Sequence, residues 1–364
     1  MLKSLIRAAL SQRLLVLVVA VVLLGFGVRA AMRLSVDAFP DVTNVQVQIA
    51  TEVPGRSPEE VERFVTVPLE VAMTGLPGLT EMRALNRAGL SLITLVFTDK
   101  TDVYFARQLV MERLLEVTPR MPAGVVPVLG PVSTGLGEVY QYTLVHPDDG
   151  RRALSPEELM ERRVVQDWVL RPLLRSIPGV AEINSRGGLE RQFQVLVNPD
   201  RLRHYRLSLR EVLEAVERNN ANAGGGVLRS AAEQYLIRGV GLIRSVDDIG
   251  NIVLKEERGV PVFVRDVAQV EIGAAVRQGA IVRNGDSEAV AGIVMMLRGG
   301  NAKEVVGRVK AKVKEINDKG LLPDGLQIEP FYDRTELVDS ALWMVTKVLL
   351  EGVVFIVIIL FLFL

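Results

Sequence analysis

Ser57-Pro58-Glu59-Glu60 is the stretch that decides the fold, because it marks where a helix begins between two strands. Serine suits the N-cap, proline suits the first helical position, and a glutamate three residues after the serine completes a capping box. An alternating strand precedes it at Val45–Ile49, and Leu76-Pro77-Gly78 ends the helix. Two more strands, a second helix and a last strand follow. The predicted order is βαββαβ, which is the order of a split-βαβ lobe.

The same landmarks return in the same order further along the chain. Ser155-Pro156-Glu157-Glu158 repeats the helix start, and Ile177-Pro178-Gly179 repeats the helix end. A strand at Ala289–Leu297, a helix at Ala302–Ile316 and the turn Leu322-Pro323-Asp324-Gly325-Leu326 complete the second copy. The capping signature alone is a generic helix start, but matched landmarks in one order predict a duplicated lobe.

An insert, residues 188–279, interrupts the second copy and has strands and a helix of its own. Its most unusual stretch is Asn219-Asn220-Ala221-Asn222-Ala223-Gly224-Gly225-Gly226, which suits positive φ angles and cannot pack a core. This composition suits a projecting loop or a hairpin base, and it predicts either a flexible turn or a loop that reaches a neighbouring subunit. The sequence does not decide between the two.

An apolar run lies at each end of this polar region. Leu14–Met32 is roughly 19 residues, or about 28 Å as a helix, so it is predicted to span a bilayer with the N-terminus cytoplasmic. A signal peptide cleaved near Val28-Arg29-Ala30 is the alternative. Gly352–Leu364 is too short for a hydrocarbon core of about 30 Å. The chain is therefore expected to be a fragment that ends within its second transmembrane helix.

Composition excludes several classes of function. Lys plus Arg and Asp plus Glu balance at 43 each, so no long-range field favours nucleic acid. Cysteine is absent, which excludes disulfides, thiolate metal sites and thiol catalysis. The two histidines, His146 and His204, are predicted to be surface residues. Walker, HExxH, GxSxG, EF-hand and Rossmann motifs are also absent, which disfavours an enzyme and leaves a transporter or a membrane-tethered periplasmic binding or sensor module.

Five strings carry a resemblance to a known family: Asp37–Val47 (DAFPDVTNVQV), Thr101–Arg107 (TDVYFAR), Gly130–Glu138 (GPVSTGLGE), Gln166-Asp167-Trp168 and Tyr332–Asp339 (YDRTELVD). They resemble the heavy-metal efflux pumps, of the cobalt–zinc–cadmium type, in the resistance–nodulation–division superfamily. The strings agree in order and spacing, and the resemblance covers the whole chain.

The resemblance implies an α+β membrane protein with two ferredoxin-like (split-βαβ) porter lobes, the second interrupted by a docking subdomain. The expected parts are a cytoplasmic start and transmembrane helix (1–36), a first porter lobe (37–132), the second lobe in two parts (133–187 and 280–335), the docking insert between those parts (188–279), and a lead-in with a truncated second transmembrane helix (336–364).

The resemblance also implies a function. The family exports divalent heavy-metal cations with the energy of protons, and copper or silver export is the alternative within it. The subunit is a multi-pass protein of the bacterial inner membrane, forms a homotrimer in the lipid bilayer, and works with a periplasmic adaptor (membrane fusion) protein and an outer-membrane channel. No cofactor is implied, because the metal is the substrate, and no nucleic acid partner is expected. This chain alone is not expected to confer metal resistance.

In the zinc, cobalt and cadmium branch, two carboxylates are associated with the metal path, and they correspond here to Glu138 and Asp167. Copper and silver members carry an aromatic residue at the first position, and a methionine where this chain has Val276. Carboxylate oxygen suits hard and borderline divalent cations, whereas Cu(I) and Ag(I) prefer thioether sulfur. The two carboxylates are expected to converge at one edge of the second lobe.

Each carboxylate also has an ordinary structural interpretation. Asp167 lies four residues from both Arg163 and Arg171, so a surface ion pair on a helix would explain it without a metal. Glu138 shares a strand face with two tyrosines, so a hydrogen bond from a phenol, or simple solvation, would explain that residue.

Overall fold

The computed structural model describes residues 11–33, 42–150, 152–230, 233–257, 259–277 and 279–363, and residues 37–41 of the first quoted string lie outside them. The chain divides into two compact units. The first unit consists of Met1–Thr143, Leu170–Asn184 and Gly292–Leu364, and the second of Leu144–Val169 and Ser185–Ala291. The predicted domain boundaries stay a prediction.

The first sheet has four antiparallel strands in the order β2–β3–β1–β4. Strand β1 alternates buried and partly exposed residues, as its sequence predicts, and buries Val47 and Ile49 in the core. The predicted βαββαβ order is the order found. Its elements are β1 (Val45–Glu52), α2 (58–73), β2 (Leu79–Arg87), β3 (Leu90–Phe97), α3 (Val103–Val117) and β4 (Pro127–Leu129).

Both predicted helix starts are capping boxes. The Ser57 hydroxyl accepts from the Glu60 amide, and the Glu60 carboxylate accepts from the Ser57 amide. Ser155 and Glu158 repeat the arrangement at the start of α4 (156–175). Local polar chemistry therefore sets where these helices begin.

Each of these two helices contains a five-residue π-helical turn, Glu62–Thr66 and Gln166–Leu170, which the sequence analysis did not predict. Each turn ends two residues before a proline, Pro68 or Pro172. Proline lacks an N–H and its ring clashes with the carbonyl four residues earlier, so a wider turn accommodates it. Asp167 is the second residue of the second π turn.

A second, five-stranded sheet follows the order β13–β14–β5–β15, with β6 also paired to β14. The path β6–β14–β5–β15 repeats the order of the first sheet, as the predicted duplication requires. The helices between its strands are α4, built from Pro156–Val165, Gln166–Leu170 and Arg171–Arg175, and α9 (Ala302–Asp318). Its strands are β5 (Glu138–Val145), β6 (Val180–Gly187), β13 (Ile281–Arg283), β14 (Ser287–Met296) and β15 (Gln327–Asp333).

The insert in the second unit has its own core, which includes Val212, Ile249 and Val264. Three antiparallel pairs form there, β7–β12, β8–β9 and β10–β11, and β7 is separate from the first sheet, as predicted. The elements are β7 (Arg191–Val197), α5 (Pro199–Tyr205), α6 (Leu209–Arg218), β8 (Ala223–Ser230), β9 (Glu233–Gly239), α7 (Val246–Gly250), β10 (Val253–Glu257), β11 (Val260–Phe263), α8 (Val264–Val267) and β12 (Ala268–Ala274).

Residues 223–226 of the glycine run belong to a hairpin strand, so the flexible-turn alternative was wrong for them, and Gly224, Gly225 and Gly226 do not have the positive φ angles expected there. Ala223–Ser230 pairs with Glu233–Gly239, and the described side chains of the hairpin are exposed. A Cβ on Gly225 would lie 2.4 Å from the Ile237 carbonyl oxygen, so the close approach of the two backbones explains a glycine there.

Two apolar helices lie at the ends of the described chain. Helix α1 (Arg13–Arg33) has 21 residues, and its apolar part is Leu14–Gly27. Helix α10 (Arg334–Phe363) has 30 residues and is, among the described helices, the one long and apolar enough to cross a membrane. The described part of the second apolar run, residues 352–363, is the C-terminal part of this longer helix, and the predicted truncation stays a prediction. Lys347 and Glu351 lie one turn apart on this helix, just before the apolar run, with their charged atoms 3.9 Å apart.

Candidate functional site

Glu138 begins β5, directly after the 3₁₀ turn Gly135–Gly137. The turn is closed by the Gly137 amide, which donates to the Thr134 carbonyl at 2.8 Å. A Cβ on Gly137 would lie 2.3 Å from the Ser133 hydroxyl oxygen and 3.1 Å from the Met296 carbonyl oxygen, so a larger residue would displace the serine hydroxyl. The Glu138 carboxylate is therefore presented by a tightly packed turn at the start of a strand.

The half-buried Glu138 carboxylate accepts a hydrogen bond from the Gln141 side-chain amide at 3.0 Å. The phenol predicted as a donor is not the group found there. Tyr140 is buried, and burial together with the nearby Asp333 carboxylate raises the pKa of its phenol to about 12. One amide donor leaves most of the acceptor capacity of Glu138 available for another partner.

Asp167 is held by two donors within the second unit. Its Oδ2 accepts from Arg163 Nε at 2.6 Å, and its Oδ1 accepts from the Ser185 hydroxyl. The Asp167 and Arg163 side chains are each 21% exposed. Arg163 also donates to the Gly187 carbonyl at 2.7 Å, so one arginine links α4 to β6.

The ion pair predicted as the ordinary interpretation of Asp167 is thus present with Arg163. Arg171 does not form the same ion pair with Asp167; its guanidinium donates to the Glu182 carboxylate at 2.7 Å. The structure shows that Asp167 is a satisfied carboxylate. A cation that binds it must therefore compete with a guanidinium.

A cavity of about 450 Å³ adjoins this ion pair. Arg163 and Ser185, both partners of Asp167, lie in its wall together with Val276. Val276 is 97% exposed, so its side chain lies in solvent rather than in a core. Val276, which the family resemblance connects with the choice of metal, thus borders the same cavity as the partners of Asp167. Positions 167 and 276 are more than 100 residues apart, so the sequence did not suggest that they are neighbours.

The two predicted carboxylates belong to different compact units, Glu138 to the first and Asp167 to the second. Their convergence stays a prediction. Within the described ranges, no group of three or more His, Cys, Asp or Glu side chains could hold a metal ion. His204 is exposed and lies edge-on to Tyr205, as a surface residue would. His146 is partly buried in a turn, where its Nδ1 accepts from the Asp148 amide at 3.1 Å.

Sequence reasoning missed two buried arginines. Arg162 donates two hydrogen bonds to Asp149, at 2.7 and 2.6 Å, and one to the Leu144 carbonyl at 3.2 Å. Burial raises the pKa of Asp149, but the bonds from Arg162 and from the His146 amide outweigh it and leave the pKa below its usual value. Arg334 is the second buried arginine. It could have been found from the string Tyr332–Asp339, which carries part of the family resemblance and begins just before α10.

Comparison with known proteins gives a consistent result. The sequence profile described as the AcrB/AcrD/AcrF family matches residues 5–364. The cation efflux system protein CzcA of Alcaligenes sp. and the cobalt-zinc-cadmium resistance protein CzcA of Cupriavidus metallidurans are each 47% identical over 368 residues, covering 100% of this chain and 34% of the relative. The cation efflux system protein CusA of Escherichia coli K12 is 40% identical over 365 residues, again covering 100% of this chain and 34% of the relative.

The chain therefore spans about a third of the length of the curated relatives it matches. Among solved structures, the X-ray crystal structure of a heavy metal efflux pump, crystal form II, matches with a TM-score of 0.88 and 36% identity. The match covers 99% of this chain and 35% of that chain. The mixed α/β architecture described above is thus one already seen in such a pump.

Proposed function

The chain belongs to the AcrB/AcrD/AcrF family, and from that premise we propose that it forms part of a pump subunit that exports divalent heavy-metal cations. The proposed substrates are zinc, cobalt and cadmium ions. Export is driven by protons across the bacterial inner membrane. The relatives at 47% identity, one of them named for cobalt, zinc and cadmium resistance, support this substrate class.

The observation that carries the proposal is the pair of half-buried carboxylates, Glu138 and Asp167, in a chain without cysteine. Glu138 has spare acceptor capacity, and Asp167 lies near a cavity whose wall includes Val276. Zinc, cobalt and cadmium ions accept carboxylate oxygen, whereas Cu(I) and Ag(I) prefer the thioether that valine lacks. The CusA relative at 40% identity keeps copper or silver export as the competing proposal.

A site of two carboxylates and water is weak, which suits transport, because a closed cage of nitrogen and sulfur ligands would retain the ion. The remaining ligands are proposed to come from parts of the pump outside residues 1–364. Protons are proposed to pass through carboxylates in those parts as well, since intramembrane acids serve as proton relays. The metal is substrate here, and no cofactor is invoked.

The proposed architecture follows the predicted division of the chain. Helix α10 is proposed to cross the membrane, and so is the predicted span Leu14–Met32, of which the described apolar part is the shorter Leu14–Gly27. These two segments are proposed to bracket two ferredoxin-like porter lobes in the periplasm, with residues 188–279 as a docking subdomain in the second. The sheet order β2–β3–β1–β4, and its repetition in the second sheet, support the two lobes.

The proposed assembly is a homotrimer in the lipid bilayer, joined by a periplasmic adaptor protein and an outer-membrane channel. The hairpin β8–β9 supports the association of subunits, because Leu228, Tyr235, Leu236 and Ile237 on it are exposed in this chain. Such a cluster of exposed apolar side chains marks a surface that another molecule covers. A neighbouring copy of the subunit is the proposed cover.

The test is metal resistance in cells that lack related pumps, conferred by the full-length pump with Glu138→Gln or Asp167→Asn. Both variants are expected to lose resistance to zinc, cobalt and cadmium at an unchanged trimer level. The matched control is Glu182→Gln, which changes a half-buried carboxylate that pairs with Arg171 in the same lobe. Full resistance in both variants would refute the metal role of these carboxylates. Loss in the control as well would point to a general defect of the lobe.

A further inference from the structure

Arg334 connects helix α10 to the turn that presents Glu138. It is the first residue of α10 and is only 3% exposed, although a guanidinium is costly to bury. Its Nη1 donates to the Leu136 carbonyl, in the middle of the turn Gly135–Gly137. The carbonyl therefore belongs to a residue only two positions before Glu138.

The turn at the other end of this bond has little freedom to absorb a displacement. The Ser133 hydroxyl donates to the Met296 carbonyl at 2.9 Å, which ties the turn to strand β14. Gly137 is packed so closely that a Cβ would lie 3.1 Å from the same carbonyl oxygen. A force on Leu136 is thus passed on to the start of β5 rather than lost in a loose loop.

The start of α10 is equally well fixed to the lobe. The Asp333 carboxylate accepts from the Thr335 amide at 2.8 Å and from its hydroxyl at 2.6 Å, so it caps the helix. Lys310 of α9 donates to the same carboxylate at 2.6 Å, and Lys303 of α9 reaches Asp339 of α10 at 2.7 Å. The first turns of α10 are therefore in contact with α9 as well as with the turn before Glu138.

We propose that Arg334 is a positioning residue that couples movement of membrane helix α10 to the placement of the Glu138 carboxylate. This inference rests on the proposed function, because it concerns the metal site named there. A hydrogen bond tolerates only a few tenths of an ångström of stretch, so a shift of α10 either carries the turn with it or breaks the bond. A shift that keeps the bond moves Glu138 with the turn, whereas a shift that breaks the bond separates Glu138 from α10. By reciprocity, a metal on Glu138 favours the position of α10 in which the bond is kept.

The test uses the full-length pump with Arg334→Gln and a fluorescent label on a cysteine introduced at Ser340, an exposed position of α10. This chain contains no cysteine, so labelling within residues 1–364 is specific, and any cysteine elsewhere in the pump is replaced. Zinc binding is measured by calorimetry and the fluorescence change on the same sample. The parent is expected to bind zinc with a change at position 340. Arg334→Gln is expected to bind zinc without that change and to transport zinc more slowly than the parent.

The matched control is Arg308→Gln, because Arg308 also donates to a backbone carbonyl, that of Pro178 at 3.0 Å, but lies on α9 away from this connection. It is expected to behave as the parent. Arg334→Lys keeps a charge and a donor and is expected to restore part of the response. If the Arg334→Gln pump does not assemble, the same two measurements are made on Gly137→Ala, because this substitution distorts the turn and leaves Arg334 unchanged.

An unchanged fluorescence response and transport rate in an assembled Arg334→Gln or Gly137→Ala pump would overturn the coupling alone. Zinc binding by the parent without any response at position 340 would do the same. Absence of zinc binding by the parent would overturn the proposed function and this inference with it.

Discussion

Replacing Arg163 with methionine is predicted to tighten zinc binding, because Arg163 occupies the carboxylate that the metal needs. The guanidinium donates to Asp167 at 2.6 Å, and both side chains are 21% exposed. A hydrogen bond to a charged group contributes about 1.5–3 kcal/mol, and partial exposure to solvent favours the lower end. About 1.5 kcal/mol corresponds to roughly a tenfold decrease in Kd. Removal of the positive charge beside a bound cation acts in the same direction.

The assay is a zinc titration of the purified full-length pump by calorimetry, for the parent and Arg163→Met. The control is Arg171→Met, because Arg171 is also four residues from Asp167 but donates to Glu182. Arg163→Met also loses the bond to the Gly187 carbonyl, so its melting temperature is measured beside the parent's. A Kd that stays the same or rises in a folded Arg163→Met pump would refute the assignment of Asp167 to the metal path.

Three further predictions concern stability and assembly. Thr51 is buried with no hydrogen-bond partner for its hydroxyl among the described residues, so Thr51→Val is expected to stabilise the pump by about 1 kcal/mol; a lower melting temperature would contradict this. Asp149→Asn leaves Arg162 buried without its anion and is expected to cost about 3 kcal/mol at neutral pH. Since the pKa of Asp149 is lowered in the fold, the parent keeps this stabilisation above the ordinary aspartate pKa of 3.8 and loses it as the pH falls through the lower folded value; melting curves that keep the same difference between parent and variant at acid pH would count against the pair. Replacing residues 223–239 with a short glycine–serine turn is expected to abolish the trimer in native mass spectrometry, and an intact trimer would exclude the hairpin as the subunit contact.

Sequence reasoning succeeded where short-range chemistry decides the structure. The capping boxes at Ser57 and Ser155 start helices where predicted, since both partners lie within one turn. The strand alternation of β1 likewise gave its buried face. The repeated landmarks gave the repeated strand order, because the same local signals recur in both copies.

It failed where the outcome depends on contacts between distant residues. Arg163 and Arg171 are equivalent in spacing from Asp167, and only the position of Glu182 on β6 shows which of them is occupied elsewhere. The contact of Arg334 with Leu136 joins residues 198 positions apart. The glycine run is a different case, because its partner strand β9 begins only three residues after β8 ends; glycine has no side-chain pattern from which a strand could be predicted.

The most direct measurement is zinc flux by the purified full-length pump in lipid vesicles with an imposed proton gradient. The parent is predicted to move zinc only while the gradient is present and to move silver no faster than empty vesicles do. The double variant Glu138→Gln, Asp167→Asn is predicted to reduce zinc flux to the level of empty vesicles while keeping the trimer. Zinc flux in the double variant equal to that of the parent, or silver flux in the parent that exceeds its zinc flux, would contradict the assignment of these carboxylates to divalent metal export.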